Sequence, residues 1–108
     1  MADEKIHVLV VDDEPHVVES IALLLNESGY TVCKCNNPQD ALTLLQQKKI
    51  KVVLTDVKMP KFSGLELLEV IGNYYPNIPV ILMTGHADLE IAIDAVKKGA
   101  FDFIPKPY

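Results

Sequence analysis

The chain is 108 residues long, one domain of ordinary size with no room for a second. Hydrophobic residues make up 49% and charged residues 23%, which suits a packed core and excludes a disordered tail. Ten Lys and Arg against 15 Asp and Glu leave a net charge of −5, which argues against a domain that grips nucleic acid through its own surface.

Strand-length apolar runs alternate with helix-length amphipathic segments. Ile6–Val11 is mostly β-branched and apolar, reads as a first strand, and runs into Asp12-Asp13-Glu14. Pro15 suits the first turn of a helix, Val17, Ile21, Leu24 and Leu25 recur at helical spacing, and Gly29 is a natural stop. Thr31–Cys35 reads as a second strand. Its Cys33 and Cys35 are too close in sequence to pair readily, and no further ligand completes a zinc site, so both are read as reduced thiols.

Asn37 is a capping residue, Pro38 suits the first helical position and Asp40 suits the dipole of a second helix. Ala41, Leu44 and Leu45 form its apolar stripe, and Lys48-Lys49 its expected end. Val52–Thr55 reads as the third strand, ending at Asp56, before a loop with Pro60 and Gly64. Leu65, Leu68 and Ile71 mark a third helix, closed by Gly72 to Pro76. Pro79–Met83 reads as the fourth strand, ending at Thr84. Asp88 is expected to cap a fourth helix with Leu89, Ala92, Ile93 and Val96 on one face, and Lys97-Lys98-Gly99 to end it. Phe101–Ile104 is a fifth strand. No apolar run approaches the roughly 20 residues of a membrane-spanning helix, and Val8–Val11 is too short for a signal-peptide core.

This alternation, with most strands apolar on both faces, predicts a doubly wound α/β sheet of parallel strands. In such a sheet the C-terminal strand ends share one edge, where ligands bind. The residues at or just past those ends are Asp12 and Asp13, Asp56, Thr84 and Lys106. Three clustered carboxylates repel one another and call for a cation or a shared proton. Mg²⁺ is the natural choice, since it takes oxygen ligands and binds through carboxylates plus a phosphate. A lone Asp on a separate strand beside it suggests a carboxylate nucleophile that ends as an aspartyl phosphate. Lys106 and Thr84 could each meet a phosphoryl oxygen.

Val10-Val11-Asp12-Asp13-Glu14, Asp56-Val57-Lys58-Met59-Pro60 with Gly64-Leu65-Glu66-Leu67-Leu68, Met83-Thr84-Gly85-His86, and Gly99-Ala100-Phe101-Asp102-Phe103-Ile104-Pro105-Lys106-Pro107 stand in that order. With these motifs the chain resembles a response-regulator receiver domain of two-component signalling, over nearly its whole length. The stretch from Thr84 to Pro107 is most similar to receivers that precede an ATPase activating the alternative sigma factor. The resemblance implies a flavodoxin-like fold with strand order 2-1-3-4-5. It implies that Asp56 accepts a phosphoryl group from a phosphohistidine of a sensor histidine kinase. Asp12, Asp13, Asp56 and the backbone carbonyl of Lys58 would bind Mg²⁺. Thr84, Lys106 and Phe103 would respond to the phosphoryl group, Phe103 as the reorienting aromatic. It also implies cytoplasmic signalling without enzyme activity beyond self-phosphorylation and self-dephosphorylation, and regulation of transcription through ATPase or DNA-binding output domains. Lys58 and His86, two residues past Asp56 and Thr84, are bulky and poor at orienting water, so slow self-dephosphorylation is expected.

Two other functions compete. An aspartate-nucleophile phosphatase typically carries a second Asp two residues after the nucleophile, where this chain has Lys58. A flavodoxin-like nucleotide or flavin module wants a Gly-rich or hydroxyl-rich phosphate loop after the first strand, where this chain has Asp12-Asp13-Glu14-Pro15. A receiver ordinarily ends in a fifth helix, so residues 1–108 are read as a receiver shortened before that helix. Right-handed crossovers would then put the first helix alone on one face of the sheet. Apolar side chains drawn from Val52, Val53, Leu54, Val80, Ile81, Leu82, Phe101 and Phe103 would be left bare there, a surface expected to drive self-association.

Overall fold

The computed structural model describes residues 5–57, 63–85 and 88–105. Nine elements alternate along it: β1 (Lys5–Val11), α1 (Pro15–Glu27), β2 (Val32–Cys35), α2 (Pro38–Gln47), β3 (Lys49–Asp56), α3 (Gly64–Tyr74), β4 (Val80–Thr84), α4 (Leu89–Lys97) and β5 (Asp102–Pro105). The strands form one parallel sheet in the order β2-β1-β3-β4-β5. The expected flavodoxin-like architecture is therefore the observed one.

The two faces of the sheet carry separate cores. Leu9, Val11, Val53, Val57, Val80 and Leu82 point to one side, where Ala41 and Leu45 of α2, Leu67 and Ile71 of α3 and Ala95 of α4 cover them. Val10, Leu54 and Met83 point to the other side, against Val18 and Ile21 of α1. Strand side chains alternate between faces, so neighbours in sequence belong to different cores. This phase sorts the residues expected on the α1 side. Leu54 and Ile81 do lie there. Val53, Val80, Leu82 and Phe103 belong to the opposite core instead, and Phe101 is 68% exposed just before β5.

Several local expectations need correction. In α1 the buried residues are Val18, Ile21 and Ala22, while Leu24 is 60% exposed. In α4 they are Ala92 and Ala95, while Leu89 and Ile93 are exposed. Both helices carry more apolar residues than one stripe can hold, and packing against the sheet decides which row is buried. Asp88 holds the N-cap position of α4 without making the side-chain capping bond. By contrast, α3 closes within the expected Gly72 to Pro76 segment, ending at Tyr74 before Tyr75 packs against the core. Lys49 belongs to β3 rather than to the end of α2, because Lys49 and Ile50 pair with Lys5 and Ile6 and lengthen both strands.

The expected cap of α2 forms, and α3 carries one that the sequence reading did not single out. Asn37 accepts a hydrogen bond from the Asp40 N–H at the head of α2 (2.8 Å). Ser63 and Glu66 form a reciprocal capping box at the head of α3. Cys33 and Cys35 are free thiols. Among the described residues no helix is long and apolar enough to cross a membrane.

Candidate functional site

β1 and β3 are neighbours with Val11 opposite Thr55, so the next residue of each strand, Asp12 and Asp56, emerges side by side at the C-terminal edge. One carboxylate oxygen each from Asp12, Asp13 and Asp56 lies within 4.8 Å of the others. Asp12 is fully buried and Asp56 is 9% exposed, while Asp13 is open to water. Asp12 Oδ1 accepts the Glu14 N–H (3.0 Å), a tight turn that steers the chain into α1 at Pro15. Partial desolvation, then a hydrogen bond with the Asp12 carboxyl and the charge of Asp12, hold the Asp13 carboxyl above its ordinary value.

The donor set fits a small hard cation. Ligand oxygens about 2.1 Å from an octahedral ion sit about 3–4 Å from one another, so these three need only small side-chain rotations to share one. Among the described residues, neither the thiols nor a histidine joins them. A groove of about 450 Å³ lined in part by Pro15, Glu19, Lys34 and Asp40 lies between α1, β2 and α2 and has no lining residue in common with the carboxylates. Exposed Lys34 Nζ pairs there with Glu19 at 2.9 Å.

Thr84 ends β4, the strand paired with β3, and is 1% exposed. Its hydroxyl donates to the Gly85 carbonyl (3.0 Å). Pro105 of β5 stands opposite Thr84 in the register. Phe103 sits opposite Leu82 and is half-buried against the larger core. Lys58, His86 and Lys106, to which the sequence assigns a metal ligand, a water-access role and a phosphoryl contact, lie outside the described residues.

Two residues at the site were given no role there by the sequence, and one of them, Gly64, expected in the loop, is the first residue of α3. Thr55 is fully buried and its hydroxyl donates to the Asp56 carbonyl (3.1 Å). Gly64 begins α3 against the Asp56 backbone. Thr55 left no signal beyond a polar residue in an apolar strand. Gly64 left one, since a glycine directly after a serine cap is a poor helix former where a good one would serve.

The model of the response regulator receiver domain family matches residues 8–108. The chain belongs to that family. This receiver domain is 40% identical over 108 residues to the transcriptional regulatory protein FixJ of Rhizobium meliloti, covering all of this chain and 52% of that protein. It is 37% identical over 105 residues to the DNA-binding transcriptional regulator NtrC of Proteus hauseri, covering 97% of this chain and 22% of that protein. The chain thus spans between about a fifth and a half of these curated relatives.

Among solved structures, a response regulator receiver domain protein from Clostridium thermocellum superposes with a TM-score of 0.89 at 40% identity, over 96% of this chain and 82% of that one. The receiver domain of NtrX from Brucella abortus gives 0.90 at 32% identity, over 94% and 86%. The receiver is a phosphoacceptor signalling domain of two-component response regulators. Neither a phosphatase nor a flavin-binding module is favoured.

Proposed function

We propose that Asp56 is the phosphoacceptor of this receiver domain and that Asp12, Asp13 and Asp56 hold Mg²⁺, with the Lys58 carbonyl as a further ligand. The convergence of three carboxylates within 4.8 Å, one of them alone on the third strand, carries this reading. A carboxylate oxygen of Asp56 attacks phosphorus as the P–N bond of a phosphohistidine breaks, leaving the electron pair on the imidazole nitrogen. Bound Mg²⁺ would supply positive charge against both the carboxylates and the phosphoryl oxygens. The short Asp12-Asp13-Glu14 turn keeps two acids beside the acceptor, and burial of Asp12 and Asp56 limits competing water.

Thr84 would meet a phosphoryl oxygen by turning its hydroxyl away from the Gly85 carbonyl, which it now holds at 3.0 Å. Lys106 would pair with another phosphoryl oxygen. Phe103, half-buried beside β4, would reorient as Thr84 turns. Self-phosphorylation and self-dephosphorylation are the only chemistry assigned to the chain. Its donor is a sensor histidine kinase in the cytoplasm, a compartment that suits the free thiols Cys33 and Cys35. The names of the relatives, a transcriptional regulatory protein and a DNA-binding transcriptional regulator, support control of transcription through DNA-binding output domains outside this chain; an ATPase output rests on the resemblance of the stretch from Thr84 to Pro107 alone.

Incubation with acetyl phosphate and Mg²⁺, followed by intact-mass measurement, tests the assignment. One labile phosphoryl group is expected on the unsubstituted chain and none on Asp56→Asn. Asp12→Asn or Asp13→Asn should chiefly raise the Mg²⁺ requirement. Full labelling of Asp56→Asn would overturn the reading.

A further inference from the structure

Gly64 opens α3 directly against the backbone of Asp56. Its N–H donates to the Val57 carbonyl (2.8 Å). A Cβ at this position would collide with the Asp56 carbonyl oxygen, and would stand 2.9 Å from the Asp56 carbonyl carbon and 3.1 Å from Val57 Cα. These obstacles are main-chain atoms, which cannot swing aside as the end of a long side chain can. The strand is also held from both sides. Thr55 pairs with Val11, Asp56 pairs with Met83, and the Val57 N–H donates to the Met83 carbonyl (3.1 Å).

The helix end is no softer. The Glu66 N–H donates to Ser63 Oγ (3.2 Å) and the Ser63 N–H to Glu66 Oε1 (3.0 Å), closing the first turn on itself. Backbone conformation does not explain the glycine, since the positive φ values belong to Gly29 and Gly99. Gly72, in the same helix, would meet nothing within 4 Å. The requirement at residue 64 is thus one of space, and the space is taken by the backbone of Asp56 and Val57.

We propose that Gly64 is a positioning residue for the acceptor. Its missing side chain lets the first turn of α3 brace the Asp56–Val57 backbone, which sets where the Asp56 carboxylate stands relative to Asp12 and Asp13. This rests on the reading of Asp56 as the phosphoacceptor. It also makes α3 the helix that moves when the Asp56 backbone moves.

The test compares Gly64→Ala with two controls in the same helix. Gly72→Ala makes the same chemical change in open space, and Ile71→Ala destabilises the core one to two turns away. Phosphorylation by acetyl phosphate at saturating Mg²⁺ is timed at a temperature well below each variant's melting midpoint. Gly64→Ala should be slower by about tenfold or more, as a misplaced reacting group demands, and cooling should not restore it. Gly72→Ala and folded Ile71→Ala should react within about twofold of the unsubstituted chain, as neither touches the acceptor. A normal rate for folded Gly64→Ala, or a loss shared by Ile71→Ala, overturns the proposal. If Gly64→Ala does not fold, the unsubstituted chain labelled with ¹⁵N-glycine decides, because it has only five glycines. The Gly64 amide resonance should shift on phosphorylation and that of Gly72 should not; a stationary Gly64 overturns the proposal. An unsubstituted chain that takes no phosphoryl group overturns the acceptor reading itself, whereas normal labelling with an unimpaired Gly64→Ala overturns only the role of Gly64.

Discussion

One face of the sheet lies under α2, α3 and α4, and its core runs without a break from Cys35 on β2 to Ala100 ahead of β5. The other face meets α1, and among the described residues its buried core is the smaller set Val10, Val18, Ile21, Leu54 and Met83, with partly buried side chains such as Val17 and Leu25 packed against it. Ile81 is half-buried there, and Ile104 on β5 is 39% exposed. The difference shows that a residue's worth depends on its phase as much as on its strand. It also shows how the acids are held. From the densely packed face, α3 presses on the Asp56 backbone. From the α1 face, a short turn after β1 supplies Asp12 and Asp13.

The sharpest probe of this asymmetry uses two adjacent residues of β4. Leu82 is fully buried in the larger core, and Leu82→Ala should cost about 3–4 kcal/mol. Ile81→Ala, facing α1, should cost only about 1–2 kcal/mol because Ile81 is half-buried at the edge of the smaller core. Urea unfolding of both variants measures the gap, and equal costs would break the comparison.

The helix heads should differ next. Ser63→Ala removes one half of the capping box of α3 and should cost about 1 kcal/mol. Glu14, the N-cap of α1, makes no side-chain capping bond, so Glu14→Ala should stay within about 0.5 kcal/mol of the parent. The same denaturation curves read both values.

A smaller effect concerns Asp13. Its carboxyl is held above the ordinary value of 3.8, so the native state binds that proton more tightly than the unfolded chain does. The resulting stability is fully present below 3.8 and is lost as pH rises through the native value. At neutral pH the ionised group is therefore a net liability without a cation. Asp13→Asn should raise the metal-free melting temperature by about 2 °C and reduce the rise that Mg²⁺ produces in the parent. Thermal melts with chelator and with Mg²⁺ check both signs.

The smallest effect belongs to the exposed side of α1. Leu24→Lys should change stability by no more than about 0.5 kcal/mol, as Leu24 is 60% exposed. A loss as large as that of Ile81→Ala would show that Leu24 is covered in solution.

Element order and the acid trio were legible in the chain itself because each rests on local chemistry. Alternating apolar runs and helical stripes mark strands and helices, and Asn37 and Pro38 lie where capping rules want them. Asp12, Asp13 and Asp56 stood out because acids directly after apolar strands fall on one edge of any parallel sheet. Packing alone settled the remainder. Which of two overlapping stripes α1 and α4 bury, and which face each residue of β3 and β4 meets, depend on where the sheet lies beneath them. The reach of β3 back to Lys49 depends on its partner β1. The role of Gly64 depends on atoms eight residues earlier in the chain, at Asp56, and only folding brings a helix end and a strand end close enough for the absence of one carbon to matter.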